Sequence, residues 1–373
     1  APQHMIKSGS CYVRGTLRAT TAAAGGWSFL GGEKATPIGS AASILNKFTL
    51  TMGGQVVEQI DQVGHLHNLL LTHTNAAYCA NDSQVKELRS AVALVSATDY
   101  TFTIPIFSGV LNSGKHIPAF LVPQVNVSYD LQPVLQCLRA SVDGQDNPTA
   151  YTVSNAFFVY EAIEPDVAYM AAVRAKLSEP ADKMGNLKQY AINFLTYSHM
   201  SQSGSTGDIT ALQGLSSSSL RAVLYTSLLN AAGANATADD GSFTDTITNY
   251  ASADTDLYID GRQINQVRYN SVPVVYSELE RALGRLGDPS LNSELVGNTP
   301  ALKRGSYENY RYLAGVNCSR VDDADLAFTG TPVNQLMLRV GGRAVVANTT
   351  FHMWSCLDRV IMIDRNGMCR IVN

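Results

Sequence analysis

The sequence predicts an all-β chain built as two tandem antiparallel sandwiches. Three observations lead there: an ordered internal echo, a succession of short strand-like segments separated by turn residues, and a composition rich in apolar but poor in charged residues.

The echo begins with "TMGGQVVEQI" at 51–60 and "YIDGRQINQV" at 258–267, two stretches about 207 positions apart in which an alternating segment meets a glycine and then a glutamine. It continues in order. "FSGVLNSGKHIPAF" (107–120) is answered by "LAGVNCSRVDDADLAF" (313–328), which pairs Gly109 with Gly315, Val110 with Val316 and Phe120 with Phe328. "NAFFVY" (155–160) then meets "NTTFHMW" (348–354) at a shorter spacing, because the first copy joins its strands through the polar loop "ASVDGQDNPTAY" where the second uses the tight "VGGR". Matches that keep their order at nearly constant spacing indicate internal duplication. The expected division is 1–178, including an N-terminal segment of about 1–30, and 179–373.

Within each copy the local signals are mostly strand. "KFTLTMGG", "YTFTIPIF", "QVNVSYDLQPVLQCL", "TVSNAFFVYEA", "NQLMLRV", "RAVVANTTFHMW" and "DRVIMIDRNGMCRIV" are rich in β-branched and aromatic residues, and the last carries the turn pair Asn366-Gly367. Two helices interrupt: Ile60, Val63, Leu66 and Leu70 keep helical spacing, as do Val275, Leu279, Leu283 and Leu286. The polar, proline-broken stretch 174–189 is expected to be a linker. The serine-rich stretch 201–219 and the small-residue stretch 231–256 are expected to be loops flanking a strand or helix in "LRAVLYTSLLNA".

Composition narrows the function. A net charge of −4 argues against specific nucleic-acid binding, which needs clustered Lys and Arg, and the N-terminal Lys7, Arg14 and Arg18 are only a mild basic bias. No apolar run approaches the roughly 18 residues that span a bilayer, and no signal-peptide pattern is visible. The charged fraction of 16% suits a surface largely covered by neighbours. Six dispersed cysteines without a C-x-x-C pair (Cys11, Cys79, Cys137, Cys318, Cys356, Cys369) are expected to be buried thiols.

The motifs that suggest chemistry fail on detail. "GVLNSGKH" at 109–116 satisfies G-x-x-x-x-G-K, but His116 stands where a hydroxyl must ligate Mg²⁺, and Pro118 opposes the helix that must follow. His65, His67 and His73 lie near Cys79, yet residues two apart on a helix point to different faces, so His65 and His67 cannot share an ion. Asp322, Asp323 and Asp325 lack the ligand spacing of a calcium loop. No catalytic, cofactor-binding or metal-ligating residue is therefore assigned, and no enzyme activity or cofactor is expected.

Taken together, the Gly-x-Gln strand ends, "FTIPIFSGVLNSGKHIPAF", "GRQI", the "YSELERALG" helix, "AGVN" and the closing "FHMWSCLDRVIMIDRNG" resemble double-jelly-roll major capsid proteins of the adenovirus and tectivirus lineage. The pattern is most similar to that of Polinton-like viruses and virophages. The resemblance implies two eight-stranded jelly rolls side by side with short helices in the loops, and a homotrimer of pseudo-hexameric outline that tiles an icosahedral shell over DNA. Its implied partners are its own copies, neighbouring capsomers, penton or minor capsid proteins and, on the inner face, an internal membrane. It implies a virion location after assembly inside the host cell. The competing expectation is a two-domain β-sandwich module that binds carbohydrate or acts as an adhesin. Such a module would need exposed aromatics on a flat sheet face, and Trp27 and Trp354 are the only tryptophans available.

Overall fold

The structure is a computed structural model that describes residues 4–21, 26–30, 32–33, 36–37, 39–74, 82–89, 94–141, 145–180, 188–203, 208–229, 243–244, 255–264, 271–284, 312–320, 328–341 and 349–372. It is an all-β, antiparallel double jelly roll with short helices in its loops.

In the first half, β1 (Tyr12–Thr20), β2 (Leu45–Met52) and β3 (Gln55–Asp61) lead into α1 (Val63–Thr74). β4 (Tyr100–Pro105), β5 (Val125–Leu131) and β6 (Ala150–Val159) follow, and α2 (Val167–Leu177) closes the half. The sheets run β5-β2-β3 and β6-β1-β4, with a third sheet in which Gly26–Phe29 lies between Leu138–Ala140 and Leu94–Val95. Period-two alternation sets the buried face: Leu45, Phe48, Leu50 and Met52 of β2 point inward, as do Leu17 of β1 and Phe102 and Ile104 of β4. The N-terminal segment is thus structural, since β1 is the central strand of its sheet.

In the second half, β7 (Tyr190–Ser203), β8 (Ile209–Leu229), β9 (Thr255–Ile259) and β10 (Arg262–Gln263) precede α3 (Val272–Ala282). β11 (Ala314–Asn317), β12 (Thr331–Val340), β13 (Thr349–Ile363) and β14 (Cys369–Val372) complete it. Their order is β7-β13-β8-β12-β9-β10, with β11 also on β8 and β14 on β13. β8 pairs with β12 as far as Leu220 and with β13 from Leu220 onward, and its register slips between Gly214 and Ser217 and again before Leu220. Such slips let one strand turn a corner between the layers of a sandwich.

Several local expectations change. The serine-rich stretch is not a loop: β7 extends through Ser203 and β8 begins at Ile209. Serine is a poor strand former, but Ile209, Ala211, Gln213, Leu215 and Ser217 alternate inward, and burial on one face overrides propensity. Residues 174–177 of the expected linker belong to α2. That helix escapes periodicity because it is apolar on all sides; Asp166 starts it by accepting from Ala168 N at 2.8 Å. α1 starts at Val63, so Ile60 belongs to β3. The "VGGR" turn, most of 231–256, Leu286 and the acidic Asp322–Asp325 run lie outside the described residues.

The first pair in the echo shares its local geometry. Gly53 and Gly54 turn β2 into β3 with φ of 56° and 81°, and Asp260 and Gly261 turn β9 into β10 with φ of 49° and 78°. Two successive positive φ values are what a type I′ hairpin turn requires. The second pair differs: Gly109 sits in a turn after β4, whereas Gly315 lies within β11 beneath α3.

The corner of β8 is held by Ser219, whose hydroxyl donates to Asp358 Oδ2 at 2.6 Å and accepts from Gly330 N at 2.8 Å. Ser219→Ala leaves the backbone N–H of Gly330 without its acceptor and the buried Asp358 Oδ2 with only its Arg221 contact. It is expected to lower unfolding free energy by about 1–3 kcal/mol in urea titrations, with an unchanged m-value.

Candidate functional site

The two halves meet along a seam made by β3, α1 and the loop after β4 on one side and β7 and β13 on the other. The buried side chains of both halves form one continuous hydrophobic cluster.

The glycine-rich loop 109–116 lies in this seam. Glu58, on β3 and 1% exposed, accepts from Gly109 N at 2.9 Å, Val110 N at 3.4 Å and the Ser108 hydroxyl. The backbone N–H groups of the loop are thus engaged within the chain: those of Gly109 and Val110 by Glu58, whose pKa burial raises, that of Leu111 by the Ser108 hydroxyl, that of Asn112 by Ser108 O and that of Gly114 by the Ser8 hydroxyl. Gly109 presses against β7 so closely that a Cβ there would lie 1.6 Å from Leu195 O. Lys115 Nζ donates to Ala191 O at 3.3 Å, and the Tyr190 hydroxyl donates to His116 O at 3.2 Å. The motif is a clasp between jelly rolls.

The histidines of α1 diverge. His67 faces Glu87 at 3.3 Å and sits edge-on to Phe107, while His73 lies 6.3 Å from Tyr276 of α3. His65 points at the second half, with its ring 6.2 Å from His352 of β13. His199 of β7 stacks on His352 with ring centres 5.3 Å apart, and His199 Nε2 lies 3.0 Å from His352 Nδ1. Trp354 stacks on His352 at 5.6 Å and donates from Nε1 to Asp61 O at 3.4 Å. Burial lowers His65 to about 4 and, together with the neighbouring His65, lowers His199 to about 4; burial and both other imidazoles hold His352 well below the usual histidine range. No group of three His, Cys, Asp or Glu among the described residues is arranged to hold a metal ion. His199 and His352 carried no motif signal, because only strand pairing brings them to His65.

A cleft of about 910 Å³ opens along the seam, lined in part by His67, Phe107, Tyr197, Arg221, Arg281 and Cys356. Its polar lining is engaged elsewhere: Arg221 pairs with Asp358 at 3.4 Å, and Arg281 with Glu278 at 3.3 Å. Burial pushes the Cys356 thiol up to about 12, which keeps it protonated and a poor nucleophile. Cys11, Cys137, Cys318 and Cys369 are buried as well, and Cys79 lies outside the described residues. Both tryptophans are fully buried, so neither can serve as an exposed platform for a sugar ring.

No protein-family model and no curated protein matches the sequence. Solved structures do match the fold. The chain is similar to PBCV-1 VP54, as fitted into a reconstruction of the virophage Sputnik, with 12% identity over 100% of this chain and 90% of that one and a TM-score of 0.57. It is also similar to a chain of the quasi-atomic PBCV-1 virus capsid, with 12% identity, 100% and 90% coverage and a TM-score of 0.54. The STIV major capsid protein matches with 11% identity, 95% and 89% coverage and a TM-score of 0.50. The fold of this chain is therefore that of double-jelly-roll major capsid proteins.

Three outcomes follow from the clasp. Gly109→Ala should destabilise the chain by at least about 3 kcal/mol in urea unfolding, since rigid backbone of β7 blocks the new methyl. Gly114→Ala, in open space at φ of 78°, should cost only about 1–2 kcal/mol. Calorimetry with ATP and Mg²⁺ should show no saturable binding, because Glu58, Ser108 and Ser8 already occupy the loop amides.

Proposed function

We propose that this chain is a structural major capsid protein of an icosahedral DNA virus, located in the virion and without enzymatic activity. The observation that carries this reading is likeness over the whole chain, rather than over one sandwich, to structures that include a virus capsid. In this reading, residues 1–178 and 179–373 are the two jelly rolls, and three chains close into a pseudo-hexameric homotrimer. A duplicated sandwich suits that shape, because three copies then present six similar flanks to a hexagonal lattice, while threefold closure avoids open-ended growth at strand edges. Neighbouring capsomers, penton or minor capsid proteins and an internal membrane are the partners that fit.

α2 supports self-association. Nine of its eleven residues are apolar, yet only Met170 and Leu177 are buried, and Val167 and Tyr169 remain 73% and 46% exposed. An exposed helix that is apolar all round is a surface for another copy to cover.

Sedimentation of the purified chain at micromolar concentration tests the reading. The expected species is a trimer of about 120 kDa, three times the 40.1 kDa chain, held by a permanent interface of more than roughly 2,000 Å². A single species of 40.1 kDa would refute it. Val167→Asp combined with Ala171→Glu, both on exposed positions of α2, should weaken the trimer at least about ten-fold while leaving the far-ultraviolet circular dichroism unchanged.

A further inference from the structure

We propose that His65, His199 and His352 form an acid-operated latch between the two jelly rolls, closed while the imidazoles are neutral and parted when they take up protons. This inference rests on the seam itself and is independent of the capsid reading.

The geometry excludes protonation of both rings of the pair. The 3.0 Å contact between His199 Nε2 and His352 Nδ1 needs one N–H and one lone pair, so full protonation of both rings turns a hydrogen bond into two facing donors. The rings are stacked 5.3 Å apart, and His65 adds a third imidazole 6.2 Å from His352. His65 and His352 are 2% and 4% exposed, so water does little to screen like charges there. His352 Nε2 is buried with no hydrogen-bond partner among the described residues. His65 on α1 lies across the seam from the paired strands β7 and β13 that carry the other two, so charge on His199 or His352 repels a protonated His65 and pushes the halves apart, while the His199–His352 contact itself lies within the second half.

The surrounding charged and titratable groups do not neutralise that repulsion. β3 contributes Glu58 and Asp61; Glu58 is held by the clasp loop, and Asp61 presents its backbone carbonyl to Trp354. β13 contributes Cys356, Asp358 and Arg359, of which Asp358 is taken by Ser219 and Arg221. β7 contributes Tyr190 and Tyr197, β8 Arg221 and Tyr225, and α1 His67, which faces Glu87. On the same helix, His73 lies against Tyr276 of α3.

The sign follows from linkage. An exposed histidine titrates near 6.5, whereas His65 and His199 are held at about 4 when the seam is closed. The closed seam is therefore fully favoured above pH 6.5 and loses ground as pH falls from 6.5 towards 4. Each such histidine shifts the closed-to-open ratio about ten-fold per pH unit across that window. Two acting together shift it about a hundred-fold per unit.

The test acidifies the full chain, as wild type and as Trp27→Phe, in which the emission is that of Trp354 beside the imidazoles, from pH 7.5 to 4 while following tryptophan emission and far-ultraviolet circular dichroism. The expected result is a red shift of emission between pH 6 and 4 at which strand content is retained. No red shift, or a red shift that coincides with loss of strand signal, overturns the latch. His199→Gln/His352→Gln should move the transition down by at least about one pH unit, and a transition unmoved by that exchange also overturns it. Should that variant fail to fold, C2–H exchange of the wild-type histidines, read by mass spectrometry, decides: titration of His65 and His199 below pH 5 supports the latch, and titration at 6 or above refutes it.

Discussion

The close approach of Gly109 to the backbone of β7 is the constraint on which the two-body arrangement depends. It is a contact without a side chain, so it sets the distance between the halves to that of two backbones in van der Waals contact. Everything else at the seam is arranged around that distance. Glu58 fixes the loop that carries Gly109 by taking its amides, and Phe107 of the same loop packs on Tyr197, with ring centres 5.5 Å apart. The next glycine contact acts in the same sense at the other end of the hairpin: a Cβ on Gly53 would lie 2.5 Å from Gly367 O, so the β2–β3 turn nests on the β13–β14 turn. Two backbone-to-backbone contacts and a shared apolar cluster make the pair of sandwiches a single body, more tightly joined than two beads on a linker.

That rigidity has a polar component that a hydrophobic count would miss. The seam contains a buried carboxylate, the buried imidazoles of His65 and His352 with the half-buried His199 beside them, and an indole N–H, each expensive to remove from water. They are tolerated because most find partners with a defined geometry, and such partners reward one relative placement of the halves over the many that apolar contact alone would accept. An apolar seam could slide by a residue with little penalty. A seam in which Trp354 must meet Asp61 O and Glu58 must meet Gly109 N cannot.

Much of the architecture was legible in the sequence, for reasons that can be named. Strands of period two, such as Leu45–Met52, announce their buried face residue by residue, and the glycines at 53, 54 and 261 mark hairpins that need positive φ. What was not legible is tertiary. The serine-rich start of β8 looks like a loop until its small residues are seen to alternate against β12, and α2 has no apolar stripe to detect because it is apolar on every side. At the seam, the glycine-rich loop departs from a nucleotide-binding pattern at His116 and Pro118, but nothing local revealed that Glu58, fifty residues earlier, would bond to its first amides. His65 could be excluded as a partner of His67; its true neighbours, His199 and His352, are assembled only by the pairing of β7 with β13.

The same rigidity bears on how a surface with few charges is presented. Inside the chain, the polar groups at the seam set orientation. Outside it, apolar side chains are exposed on several elements, among them Val167 and Tyr169 on α2, Phe157 on β6 and Leu212 on β8. A body that fixes its own internal angle presents its exposed side chains in one geometry. Under the capsid role proposed above, tiling demands this more than it demands affinity, because an error in angle accumulates around a closed shell while a weak contact is reinforced by the many copies that share it.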